Sequence, residues 1–208
     1  LLVSEKKGDQ SDIFGCGIEN ILQRKPATSL GKTITNLRIK IGIDSTGNPI
    51  CVGWNTKKAQ NVLLENLKRS RTIDINNVIA PMQSLSNCWF NTMFIAFFVS
   101  DKGRKFFKFF RQLMIKGEFA DGNPIDSVSL KRSFFLLNAA IEASINPTRS
   151  INIAQIMDTN NIIHDIYRNI NRINNKSNKY SGLYKIGTAG NPIAYYNTIM
   201  HFLSSKYK

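Results

Sequence analysis

Pro81-Met82-Gln83-Ser84-Leu85-Ser86-Asn87-Cys88-Trp89-Phe90-Asn91-Thr92 decides how this chain is read, because it joins a turn-forming segment to the most apolar run, Met93 to Val99. Pro81 keeps any upstream helix from running through it. A helix is therefore expected from Cys88 to about Val99, apolar on nearly all sides and so placed at the centre of a domain. A neutral thiol is a poor nucleophile, and the free N–H groups and dipole of a helix N-terminus favour its thiolate. A cysteine in the first turn is thus where thiol acyl transfer needs one. Gln83, five residues upstream, can offer its side-chain amide to an oxyanion beside the Cys88 backbone N–H. The competing reading is a buried structural cysteine in an apolar helix.

Gln83 followed by Cys88-Trp89 resembles the active-site segment of papain and calpain. Cys88-Trp89-Phe90-Asn91-Thr92 resembles more closely the cysteine box of ubiquitin-specific proteases, in which an aromatic residue follows the nucleophile and Asn then Ser or Thr follow. The wider run through Ser100-Asp101-Lys102-Gly103-Arg104-Lys105-Phe106-Phe107 is similar to cysteine peptidases inferred for giant, nucleocytoplasmic large DNA viruses of the mimivirus type. The likeness is clearest over residues 78–116. Leu85-Ser86-Asn87 stands where the ubiquitin-specific group has Gly-Asn-Thr. The resemblance implies an α+β, papain-like fold present mainly as its helical half, with an incomplete sheet half. It implies Cys88 as nucleophile, Gln83 as oxyanion donor, and a histidine base oriented by Asn or Asp. His164, next to Asp165, and His201 both fall in helical contexts, unlike the strand-borne base of the family. The base is therefore expected beyond Lys208. Neither metal nor organic cofactor is implied.

Outward from the stretch, Thr33 to Asp44 alternates as a strand, with Ile34, Leu37, Ile39, Ile41 and Ile43 mostly on one face. Ser45-Thr46-Gly47-Asn48 is turn chemistry, and Ile50 to Trp54 returns as the second strand of a hairpin, with Cys51 as a core cysteine. Asn55 or Thr56 caps a helix to about Arg69, and Thr72 to Ala80 is an extended linker or strand. Ser100 and Asp101 cap a helix to about Lys116, with Phe106, Phe109, Phe110, Leu113 and Met114 inward. Asp126 or Ser127 starts another, ended by Asn146-Pro147. Ile151 to Ile173 is helical in pieces, Leu183 to Ile186 a short strand, and Ile193 to Lys206 a helix. The expected organisation is an arm over 1–30, with a short periodic piece at Ile13 to Leu22. A helical part of a peptidase-like domain covers 31–173, and a linker with a C-terminal segment covers 174–208.

The 208 residues carry a net charge of +14, a field that draws nucleic acid, anionic membranes or acidic proteins. Arg104, Lys108 and Arg111 share one face of the expected basic helix and could meet phosphates. No apolar run is long enough to span a bilayer. Three cysteines at wide spacings argue against a disulfide framework and a zinc site, and for a reducing compartment. The leading expectation is a viral thiol peptidase or deubiquitinase-like protein, acting on ubiquitin or a viral structural protein, in the virion or host cytoplasm. The alternatives are a virion structural protein on an inactive peptidase-like fold, docked on capsid or core proteins, or a basic protein binding nucleic acid non-specifically.

Overall fold

The computed structural model describes Cys16 and residues 38–69, 72–81, 83, 87–146, 159–173 and 190–204. Apart from Cys16, the expected arm lies outside these residues, as do the linker over 174–181 and the strand at Leu183 to Ile186. The fold is mixed α+β and mostly helical, with one small antiparallel hairpin among the described residues. It divides into two compact units, Leu1–Asn66 and Leu67–Lys208, a division drawn at other places than the expected arm, middle and tail.

The first unit holds the hairpin of β1 (Arg38–Ile43) and β2 (Pro49–Gly53). Asp44 organises the turn. Its carboxylate accepts from the Thr46 and Asn48 backbone N–H groups, at 2.9 Å each, and from the Thr46 hydroxyl. These bonds, the Thr46 hydroxyl first, hold the carboxyl below its usual value. Gly47, at φ 90°, supplies the left-handed residue. The register shifts between Lys40 and Gly42, so Ile41 is the extra residue of a bulge. The bulge breaks the expected one-faced isoleucine stripe: Ile39 is buried while Ile43 is exposed. A second correction concerns the cysteines. Cys51 is bonded to Cys16, with Cα atoms 5.8 Å apart, so the spacing argument against disulfides fails. Sequence separation says little about which cysteines the fold brings together. Helix α1 (Lys57–Lys68) follows, the Thr56 hydroxyl accepting from the Ala59 N–H as cap.

In the second unit a short 3₁₀ turn, Ile75–Asn77, precedes α2 (Cys88–Phe94), which continues as a π-type turn over Ile95–Val99. Then come α3 (Asp101–Phe106), α4 (Lys108–Lys116), α5 (Val128–Ile145), α6 (Thr159–Ile173) and α7 (Pro192–Ser204). The expected single helix from Ser100 to Lys116 is interrupted at Phe107; Leu113 and Met114 face inward as expected, while Phe106 and Phe109 do not. Gly103 sits so close to the Ala96 and Phe97 carbonyls that a Cβ would lie 2.2 Å from the first. That approach fixes the roll of α3. Phe107 then turns in, its ring 4.6 Å from that of Phe97, while Phe106 and Phe109 turn out. Gly117, in the left-handed region, ends α4, with its own N–H and that of Glu118 donating to the Leu113 carbonyl.

The central helix is α5 rather than the Cys88 helix. Every residue from Ser133 to Ser144 is buried, and α4, α6 and the π-type turn pack around it. Alanines at 139, 140 and 143 keep it slim enough to be enclosed. Ser127 caps its start, and Asn169 of α6 bonds both Ser127 and Ser129. No helix among the described residues is long and apolar enough to cross a membrane.

Candidate functional site at the start of α2

Cys88 is the first residue of α2, is exposed, and is the only cysteine outside the disulfide. The helix owes its seating to its other faces. Phe90 and Phe94 are fully buried, and Phe90 stacks on Tyr196 and meets the Tyr195 ring edge-to-face, both at 5.3 Å. Trp89 packs against Tyr195 at 5.7 Å and lies over Gly190, where a Cβ would approach the indole to 2.5 Å. The Tyr195 hydroxyl donates to the Ile163 carbonyl at 3.4 Å, tying α7 to α6. Burial, then for Tyr195 its neighbours Tyr167 and Tyr196, raises both phenols well above their usual value, so they stay neutral.

Beneath the thiol runs a chain of buried amides and one hydroxyl. The Asn87 side-chain amide donates to the Thr159 hydroxyl at 2.9 Å, and Thr159 donates to the Asn91 carbonyl oxygen at 3.0 Å. Asn91 donates in turn to the Pro81 carbonyl at 3.3 Å. Asn87 stands at the cap position but makes no side-chain cap bond, because Thr159 holds its amide. Its backbone carbonyl takes the Phe90 and Asn91 N–H groups at 3.0 and 3.1 Å. The Cys88 thiol and backbone N–H have no hydrogen-bond partner among the described residues. A helix start left uncapped beside a free thiol leaves donors available to an incoming oxyanion.

The other sequence candidates lie on separate segments of the chain. Gln83 is exposed, and Ser84 to Ser86 lie outside the described residues. His164 lies on α6, five residues from Thr159, which puts it about 140° around the helix from the hydroxyl that meets α2. Its Nδ1 is 3.9 Å from Asp165 Oδ1, beyond hydrogen-bond reach. Burial raises the Asp165 carboxyl above its usual value, against the opposing pull of His164, Arg132 and Arg168. His201 is exposed on α7, opposite the face that carries Tyr195 and Tyr196 inward.

The proposed phosphate-contacting trio does not form one face. Arg111 is 1 % exposed, its guanidinium donating to Asn138 at 2.9 Å and to Glu142 at 2.8 Å. A buried charge so paired cannot reach phosphate, which corrects the helical-wheel reading. Arg104 is paired with Asp101, and Lys108 is half-buried on the far side of the Phe107 break.

Sequence reasoning missed Thr159, Asn87 and the role of Asn91. Asn91 was visible only as a member of the resembling cysteine box. Thr159, 68 residues further on, carried no signal beyond being a residue type that favours helix starts. Comparison with protein-family models, curated proteins and solved structures finds no match.

Proposed function

We propose that this protein is a thiol-dependent peptidase of papain-like type, in which the Cys88 thiolate attacks a peptide or isopeptide carbonyl. The observation that carries this reading is the exposed, unpartnered Cys88 at the first position of an otherwise well-seated helix, with the preceding Asn87 amide drawn away from the cap. The Cys88 backbone N–H and Gln83 serve as oxyanion donors. The chemistry also requires a histidine base to take the thiol proton.

A second reading is favoured by one observation: neither histidine lies on a helix face turned toward α2. In it the same fold is a non-catalytic structural or binding element.

One experiment separates them. Without reduction Cys88 is the single thiol, so labelling is site-specific. The rate of reaction with an electrophilic ubiquitin or peptide probe, divided by the rate with iodoacetamide, is compared with the same ratio for glutathione. A peptidase gives a ratio well above that of glutathione, lower in Gln83→Ala and absent in Cys88→Ala. A ratio equal to that of glutathione removes the peptidase reading and leaves the structural one.

A further inference from the structure

The roll of α3 that carries Phe107 inward leaves two large aromatic rings in water. Phe106, at the end of α3, is 70 % exposed and Phe109, at the start of α4, 52 %. Lys102 precedes Phe106 by four residues on α3, and Lys105 beside it is likewise exposed. Neither lysine joins an ion pair or hydrogen bond among the described residues, whereas Asp101 is taken up by Arg104. Each exposed ring rests edge-to-face on an inner neighbour, Phe106 on Phe107 at 5.0 Å and Phe109 on Phe110 at 5.7 Å. The rings are thereby held outward.

We propose that Lys102, Lys105, Phe106 and Phe109 form a docking stripe for the surface of an anionic lipid bilayer. Three arguments select that partner. The stripe is cationic within a chain of net charge +14, which complements anionic headgroups. The two rings offer at most about 500 Å², less than the roughly 600 Å² per partner at the low end of stable protein–protein interfaces. Rings dipping into the headgroup boundary need no such area. Sequence-independent stacking on single-stranded nucleic acid uses aromatics set along a basic groove. Here they stand exposed on either side of the Phe107 break between two helices. The inference does not rest on the chemistry of Cys88.

Sedimentation of the full chain with vesicles tests it, using phosphatidylcholine alone and phosphatidylcholine mixed with phosphatidylserine. Binding is expected to the mixed vesicles, weak to phosphatidylcholine, and falling with salt. Each lysine near an anionic surface adds about fivefold in affinity, so Lys102→Gln with Lys105→Gln lowers it about 30-fold. Phe106→Ala with Phe109→Ala leaves the charge unchanged and should still lower affinity by roughly tenfold or more. Because both phenylalanines are exposed, the variant should fold, which circular dichroism checks. Wild-type affinity in the two double variants overturns the proposal, since the net charge then acts from elsewhere. Absence of binding to the mixed vesicles overturns it as well. If a single-stranded oligonucleotide is then bound and the same variants lose it, the stripe belongs to nucleic acid instead.

Discussion

Two polar clusters in the helical unit use similar side chains and are completed to different degrees. Around Arg111, Asn138, Glu142 and Asn146 form a closed set. Arg111 bonds both Asn138 and Glu142, Asn146 bonds the second Glu142 oxygen at 3.3 Å, and Asn138 bonds the Phe134 carbonyl. Around Asn87, Thr159 and Asn91 the chain of bonds runs one way and leaves the buried Asn87 Oδ1 without a partner. An exposed thiol stands directly beside it. Burial of a charge demands closure, and the first cluster meets that demand. The second carries no charge, tolerates an open end, and sits where polar capacity is left for something to use. A saturated cluster is architecture; an open one beside a free thiol is where chemistry is worth testing.

The largest way to break this comparison is to open the closed cluster. Glu142→Ala leaves the Arg111 guanidinium buried without its counter-charge. It should lower stability by about 3–5 kcal/mol in urea unfolding. Replacing both residues together, Arg111→Met with Glu142→Leu, should recover most of that loss. A loss under about 1 kcal/mol for the single change would mean that the guanidinium reaches water and the cluster is not closed.

Next in size is the packing that seats α2. Gly190→Ala places a methyl 2.5 Å from the Trp89 indole, so the ring or the start of α7 must shift. A loss of up to about 3 kcal/mol is expected, with the Trp89 side chain displaced, read as a change in near-ultraviolet circular dichroism. An unchanged spectrum and stability would show that Trp89 is not held there.

The open cluster should be less costly to disturb. Thr159→Val removes the hydroxyl that accepts from Asn87 and donates to Asn91, so the Asn87 amide loses its bond inside the core. A loss of about 1–2 kcal/mol is expected, and Asn87 is then released toward the vacant cap position. The Cys88 alkylation rate should fall as the freed side chain covers the first turn. A rate that does not move would separate the cluster from the thiol.

What the sequence made legible follows the range of the interactions. The hairpin turn, the Thr56, Ser100 and Ser127 caps, and the end of α5 at Asn146 depend on neighbours within a few residues, and all are where the pattern put them. The placement of Cys88 at a helix start was legible for the same reason. The inward face of α3 and α4 was legible only in part: Leu113 and Met114 are buried as expected, Phe106 and Phe109 are not. Consecutive phenylalanines at 106–107 and 109–110 fit either roll, and the choice is made by Gly103 meeting the backbone at Ala96 and Phe97. The fate of Arg111 was set 31 residues away at Glu142, and Cys51 found its partner 35 residues upstream. A wheel of one helix contains neither fact.

The smallest effect bears most directly on the base that the proposed thiol chemistry requires. An aspartate that orients a catalytic imidazole must be ionised and within hydrogen-bond reach. Asp165 fails on distance, at 3.9 Å from His164, and burial outweighs the attraction of His164 in raising its carboxyl. A folded value raised above the unfolded one makes a contribution to stability that is fully present below the unfolded value. That contribution is lost as pH rises through the folded one. Asp165→Asn removes the titration. The variant should match the wild type at low pH and be slightly more stable at neutral pH, by well under about 1 kcal/mol for a half-buried group. Paired urea midpoints at the two pH values measure this. If His164 and Asp165 instead formed the base of the Cys88 site, the same substitution would destabilise at neutral pH and slow probe labelling at Cys88. The position of His164 on α6, turned well away from the Thr159 hydroxyl that meets α2, gives the opposite expectation. Labelling should be unchanged, and the base of the thiol site should be sought off this helix.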